Sequence, residues 1–375
     1  MSNSRPTVIW ICGVPASGKS VTAWGVFQRL ALDGLAVAHV DIDQLGMLYP
    51  ERANDQGRFR LKDDALAALM PNFADFGIDV VVVSGVVDVE LVRRRRAVEG
   101  RLTGDVTFCV LSPGEQALRT RLLDRGWDED EITEVLAEAD TLATSQFGQT
   151  VLDTSEASVP EVVVEVSALI SAVPRAVARR EVVARQESQQ SARIVVISGH
   201  RAVGTSTIGW ILASSSWNQN IRTGFADLHQ LSFVARPGGA GHVDGALGIA
   251  NMSALHELFT TRGADRLVVS AHIADGKQLA DLRAAMPGTE LTLVRLCADG
   301  PTLAANIERR AEEASARLAD DDLLGADDDQ QRLVLEAALQ HQGLLEQQDE
   351  QDVRIDVSGT SVESIVEEVT RRLVW

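Results

Sequence analysis

Two short clusters near the start of the chain hold residue types suited to phosphate chemistry. The first is Gly13-Val-Pro-Ala-Ser-Gly18-Lys19-Ser20, a GxxxxGKS run that follows the apolar stretch 8–12. Glycines at those positions let the backbone wrap an anion with its N–H groups, and a helix starting at the end of the loop adds a favourable dipole. Gly13, Val14, Ala16, Ser17, Gly18, Lys19, Ser20 and Val21 are therefore the expected nucleotide contacts. Lys19 would reach the β- and γ-phosphates, and the Ser20 hydroxyl would ligate Mg²⁺. The chain has only three lysines, Lys19, Lys62 and Lys277, and one of them stands at the required place.

The second cluster is Asp41-Ile-Asp43, at the end of the next β-branched run. Two carboxylates at a strand-to-loop turn facing a phosphate loop can divide the work. One can hold Mg²⁺ through water, while the other orients an acceptor hydroxyl and takes its proton. No lysine sits in an NKxD element of the kind GTPases use to read guanine. The run 80–84 ends in Ser84-Gly85, with no carboxylate before Asp88, unlike most motor-type and AAA-type ATPases.

At this point residues 7–173 resemble the small-molecule kinases of the P-loop superfamily: shikimate, gluconate and adenylylsulfate kinases, and chloramphenicol phosphotransferase. The resemblance rests on GVPASGKS, on DID, on Ser84, on the arginine-bearing LRTRLLDRG and on the later LDTS. It implies ATP and Mg²⁺ as cofactors, with Asp41 on the metal side and Asp43 as the acceptor-side base. It implies that Arg119, Arg121 and Arg125 belong to a lid over the phosphates, and that Asp153 and Thr154 line the adenine. Arg52, Arg58 and Arg60, with Asp43, Ser84 and Gly85, fall where such kinases bind their acceptor. Those arginines would suit an anionic or polyhydroxyl molecule. The run Arg93–Arg96 reads as a solvated basic face rather than an anion site.

The elements that must hold these groups occur twice. Shifted by 186 residues, Gly13, Gly18, Ser20 and Trp24 meet Gly199, Gly204, Ser206 and Trp210, and Asp41-Ile-Asp-Gln-Leu meets Asp227-Leu-His-Gln-Leu. Gly77 meets Gly263, and Val82-Val-Ser meets Val268-Val-Ser; after small insertions, LDTS at 152–155 reappears as IDVS at 355–358. A repeat this long is a duplicated domain rather than a solenoid unit. The expected organisation is a kinase domain at 1–173, a polar linker at 174–192 and a degenerate copy at 193–375.

Apolar runs at 7–12, 36–41, 79–84, 106–111 and 150–152, and again at 193–198, 221–226, 266–270, 290–297 and 353–357, alternate with amphipathic stretches. The expected fold is α/β, with two tandem P-loop domains, each a parallel five-stranded sheet flanked by helices. Ligands would then bind beyond the C-terminal strand ends. In the second copy Thr205 replaces the lysine and His229 replaces Asp43. That copy is expected to be structural, regulatory or substrate-binding rather than catalytic. His200, His229, His242 and His272 fall on loops of the same sheet edge, and scattered polar loop residues are favoured over a metal site. The acidic stretch 318–331 reads as a solvated loop.

A net charge of −19 argues against a nucleic-acid partner. Cys12, Cys109 and Cys297 lie in strand-like runs without a CxxC pair, as buried thiols of a reducing compartment do. With no signal peptide and no apolar stretch of spanning length, the expectation is a cytoplasmic protein without a membrane partner. Its partner is a small-molecule acceptor, and a homo-oligomer is left open. The competing function is a nucleotide-binding regulatory or assembly protein with slow or no hydrolysis.

Overall fold

The computed structural model describes residues 5–98, 106–170, 192–312, 323–346 and 353–373. Nearly all of the expected linker, and residues 318–322 of the acidic stretch, lie outside them. The first half runs β1 (Thr7–Cys12), α1 (Lys19–Leu32), β2 (Val37–Asp41), α2 (Ile42–Leu45), β3 (Leu48–Tyr49), α3 (Phe59–Asp75), β4 (Val80–Ser84) and α4 (Val89–Val98). It continues with β5 (Val106–Ser112), α5 (Glu115–Leu123), α6 (Glu129–Thr144), β6 (Gln149–Asp153) and α7 (Val159–Ala168). The second half runs β7 (Arg193–Ser198), α8 (Thr205–Asn218), β8 (Thr223–Asp227), β9 (Phe233–Ala235), β10 (Gly241–Val243), α9 (Gly245–Thr261) and β11 (Arg266–Ala271). It closes with α10 (Gly276–Ala284), β12 (Leu291–Cys297), α11 (Gly300–Glu312), α12 (Asp328–Glu346), β13 (Val353–Asp356) and α13 (Val362–Leu373). The end of the acidic stretch thus starts α12 instead of remaining loop, and Asp327 accepts from the Gln330 amide at 2.8 Å as its cap.

Two compact units result, and neither is contiguous in sequence. One comprises Met1–Gly46, Arg52–Val182 and Ser232–Leu247; the other comprises Met47–Glu51, Val183–Leu231 and Gly248–Trp375. The sheet of the N-terminal unit has the order β10-β9-β2-β4-β1-β5-β6, and that of the C-terminal unit β13-β12-β7-β11-β8-β3. Five strands in each are parallel, as the ten apolar runs require. The expectation of five strands per sheet needs correction, because the N-terminal sheet adds β9 and β10 and the C-terminal sheet adds β3, each through an antiparallel pairing. β9 pairs with β2 (Val37 opposite Ala235, Ala38 opposite Val234), and β3 pairs with β8 (Tyr49 opposite Thr223, Leu48 opposite Gly224). Adding 186 to Val37, Ala38, Leu48 and Tyr49 gives 223, 224, 234 and 235, so the two pairings are equivalent under the same shift. Each half of the sequence therefore supplies the edge strand of the other half's sheet. Strands of two or three residues are too short for a period to show in sequence, and their partners are remote.

The parallel strands are buried on both faces. β1 is buried from Val8 to Cys12, and β4 along its whole length. Burying each Val or Ile side chain contributes about 1.5–3 kcal/mol before conformational entropy is subtracted. Phe233 on β9 is 1% exposed and packs 5.1 Å from Trp24, so the exchanged strand brings its own piece of core. No helix of the described residues is long and apolar enough to cross a membrane.

Candidate active site

The loop between β1 and α1 takes its shape from its glycines. Gly18 sits at φ 94°, a left-handed conformation that costs glycine nothing, and it caps α1 without any side-chain hydrogen bond. The first-turn N–H groups of α1 therefore have no side-chain acceptor. α6 is different: Asp128 accepts from the amides of Asp130 and Glu131 at 3.0 and 2.9 Å. A Cβ on Gly13 would lie 2.5 Å from Ser17 Oγ and 3.0 Å from the Leu111 carbonyl, so only glycine fits there. The Ser17 hydroxyl is buried with no hydrogen-bond partner. An anion cradled by these N–H groups suits both features.

Lys19 Nζ donates to the Val14 carbonyl at 3.2 Å, folding its ammonium back over the loop. Burial pushes this ammonium below its ordinary value, while the charges of Asp43, Asp41 and Glu138 pull it back and Arg125 depresses it further. Asp41, the last residue of β2, stands in register with Ser84 of β4, and its Oδ1 accepts from the Asp43 amide at 2.9 Å. Burial, helped by the Asp43 charge, pushes the Asp41 carboxyl up to about 6 against the Asp43 amide and Lys19. A buried carboxylate at the end of β2, within reach of the Lys19 charge, offers the oxygen donor a hard divalent ion asks for, and the Ser20 hydroxyl stands in the first turn of α1.

Asp43 is held by a residue that sequence reasoning missed. Lys62 of α3 donates to Asp43 Oδ1 at 2.6 Å, with its own side chain only 8% exposed. Lys62 also lies over the Phe59 ring, 5.1 Å from its centroid, and against Gly46. The signal was available, since Lys62 falls on the stripe with Ala65, Leu66, Leu69 and Phe73, all buried. A lysine inside an apolar stripe needs a partner. Asp43 Oδ2 faces Gly85, at φ 133°, where a Cβ would stand 3.7 Å from that oxygen but 2.2 Å from Ile42 Cγ2.

The lid arginines separate into distinct situations. Arg119 pairs with Glu129 on the exposed surface. Arg121 Nη2 donates to the Thr154 carbonyl at 3.1 Å, tying α5 to the strand end that carries Asp153. Only the charge of Arg125 is felt at Lys19. Asp153 accepts from the Ser155 amide at 2.9 Å, and Ser155 Oγ in turn accepts from the Gly114 amide at 2.8 Å. Thr154 is buried. Arg52 and Arg60 are exposed, and Arg58 is half-buried in the left-handed conformation at φ 56°. Beyond Arg93, which is bonded to Glu90, the side chains of the four-arginine run lie outside the described residues.

The C-terminal unit has a loop of the same shape, with Thr205 where the N-terminal loop has Lys19 and Asp227 where β2 ends in Asp41. Gly204 at φ 99° and Ala202 at φ 65° repeat Gly18 at 94° and Ala16 at 62°. Ser206 Oγ, however, donates to Asp227 Oδ2 at 2.9 Å and lies 3.1 Å from Ser270 Oγ, closing the space between hydroxyl and carboxylate. α9 spans the positions of α3 plus 186, so Lys62 corresponds to Gly248, and the Lys62–Asp43 pair is replaced by Gly248 and His229. The four histidines divide between the two units. His242 lies on β10, in the N-terminal unit, while His272 stacks on His341 of α12 at 4.2 Å and His200 bonds Gln342 at 2.7 Å. Among the described residues no group of His, Cys, Asp and Glu is arranged to hold a metal ion.

Residues 9–142 match the family model described as an AAA domain. The match covers the GxxxxGKS loop and the strands that flank it. Among solved structures the chain is similar to a gluconokinase from Sinorhizobium meliloti 1021, at 19% identity and a TM-score of 0.34, over 50% of this chain and 94% of that one. It is also similar to a tunicamycin resistance protein from Deinococcus radiodurans, at 19% identity and a TM-score of 0.35, over 45% and 98%. A putative kinase from Chloroflexus aurantiacus j-10-fl gives 17% identity and a TM-score of 0.29, over 49% and 99%. No curated protein matches the chain in sequence.

Proposed function

We propose that the N-terminal unit transfers the γ-phosphoryl group of ATP to a hydroxyl of a small molecule. The observation that carries this is the gathering of Lys19, Asp41 and Asp43 at one phosphate loop, close enough for both carboxylate charges to act on the buried ammonium. A protein that only binds nucleotide has no need of Asp43 there. Lys19 would neutralise the transferring phosphoryl group, and Arg125 would join it when the lid closes. Asp43 would accept the hydroxyl proton through Oδ2, since Oδ1 is occupied by Lys62. The acceptor oxygen then bonds to phosphorus as the bond to ADP breaks, and positioning with charge neutralisation supplies most of the rate. Mg²⁺ held by Ser20 and Asp41 would add charge on the phosphates.

The C-terminal unit, in this reading, is a duplicated copy without the chemistry. Losing the lysine removes the cation that neutralises the transferring group. The same copy has lost Asp43 and Lys62 together. The test is the fate of label from γ-labelled ATP, incubated with the full chain, Mg²⁺ and a small-molecule extract beside an Asp43→Ala control. Label on a metabolite, absent from the control, is expected. Label released only as phosphate would favour the regulatory reading.

A further inference from the structure

We infer that the C-terminal unit positions the acceptor side of the N-terminal site by anchoring the segment that joins Asp43 to Lys62; this rests on the kinase reading above. Asp43 lies on α2 and Lys62 on α3, and the chain between them leaves the N-terminal unit. Gly46 and Arg52 belong to that unit, whereas Met47–Glu51 belong to the C-terminal one. There the segment is tied down at every residue from Met47 to Pro50. The Phe225 amide donates to the Met47 carbonyl at 2.8 Å. Leu48, fully buried, lies opposite Gly224 of β8, and Tyr49 lies opposite Thr223. The Tyr49 ring packs 4.6 Å from that of Trp217. Arg222 donates to the Pro50 carbonyl through Nη1 and to the Arg262 carbonyl through Nε at 3.0 Å, so its guanidinium is held on two sides.

Both ends of this anchored segment lead straight to the Asp43–Lys62 pair. On the outgoing side, the Gly46 amide donates to the Asp43 carbonyl at 3.2 Å, and a Cβ on Gly46 would lie 2.5 Å from Lys62 Cγ. The stem of Lys62 therefore rests on the backbone one residue before the chain crosses. On the returning side, Asp55 accepts from the amides of Arg60 and Leu61 at 2.9 and 3.1 Å, fixing the first turn of α3 just ahead of Lys62. The Asp55 amide donates to the Arg52 carbonyl at 2.9 Å, which completes the path back to Glu51. α2 itself is a single turn of four residues, too short to hold its own position. Its placement depends on packing and on the tether beyond Gly46. A misplacement of about 1 Å at a reacting group can cost about a hundredfold in rate. Tyr49 and Arg222 are thus positioning residues that act through Asp43 and Lys62, and the second copy has a use that needs no phosphate chemistry of its own.

The test uses the full chain carrying Arg222→Met or Arg222→Lys, with Tyr49→Ala in reserve if Arg222→Met does not fold. Hydrogen exchange is followed along the N-terminal unit, and label transfer from γ-labelled ATP into a small-molecule extract is measured at varied ATP. Arg222→Met should lose protection at residues 43–46 and 60–66 while β1 and α1 keep theirs. Its kcat should fall about tenfold to a hundredfold with KM for ATP held within about threefold, and Arg222→Lys should recover part of the rate. Unchanged protection at 43–46 in a folded variant, or a kcat within about twofold of wild type, overturns the inference. A loss of protection that spreads to β1 and α1, or a KM for ATP that rises in step with the fall in kcat, overturns it too. Transfer by the wild type that the variants leave untouched would keep the kinase reading and sink this one. No transfer by the wild type, with protection lost only at 43–46 and 60–66 in the variant, would do the reverse.

Discussion

Replacing Asp41 by Asn should stabilise the N-terminal unit at neutral pH while removing its chemistry. Burial raises this carboxyl from 3.8 to about 6, so the folded chain holds the proton more tightly than the unfolded chain. Stability from that proton is fully present below about pH 4 and is lost as pH rises through about 6. Carrying a carboxyl over that interval corresponds to about 3 kcal/mol. Asn keeps an oxygen for the Asp43 amide, which Asp41 bonds at 2.9 Å, so the turn should survive. The assay is urea unfolding of wild type and Asp41→Asn between pH 4.5 and 8, read on the transition that ATP shifts. The variant's advantage should grow with pH and level off above about pH 6.5, at up to about 3 kcal/mol. His39 titrates in the opposite sense in the same window, but it is common to both proteins and cancels. With Mg²⁺ and ATP present, the variant should lose the stabilisation that wild type gains. An advantage that is flat, or that shrinks as pH rises, would refute the buried-carboxylate argument.

Other consequences follow from single contacts. Lys62→Met should lower kcat by about tenfold to a hundredfold with little change in KM for ATP, because Asp43 loses its orienting partner; Lys62→Arg should restore part of the rate. Phe233→Ala should cost about 3–5 kcal/mol, and hydrogen exchange should place the loss at β2 in the N-terminal unit, although Phe233 belongs to the second half of the sequence. His39 is fully buried against Trp24, Phe27 and Phe233, with neither ring nitrogen bonded, and burial holds it down at about 4. The stability it allows should therefore fall as pH drops from about 6.5 towards 4. His39→Leu should remove that loss and raise stability at pH 5 by about 1–3 kcal/mol, read as a shift in the unfolding midpoint.

The phosphate loop and the ten parallel strands were legible because each depends on local pattern. A glycine loop follows an apolar strand, and each buried strand is an unbroken β-branched run. The exchanged strands were hidden for the opposite reason. Leu48 and Tyr49 form a two-residue strand whose partner is β8, far along the chain, and no local period announces it. That exchange also explains the histidines. His242 was assigned by sequence order to the second sheet, but β10 carries it to the first. Lys62 was counted in the sequence only as a lysine outside any guanine-reading motif. Its place on the apolar stripe of α3 was legible, but that its partner is Asp43 depends on how α3 packs against α2.

The central claim, that one unit of the chain is a catalyst and the other is not, is tested most directly by label transfer from γ-labelled ATP with Lys19→Ala and Thr205→Ala. The account predicts that Lys19→Ala abolishes transfer and Thr205→Ala leaves it near the wild-type rate. Equal losses from the two substitutions would contradict it.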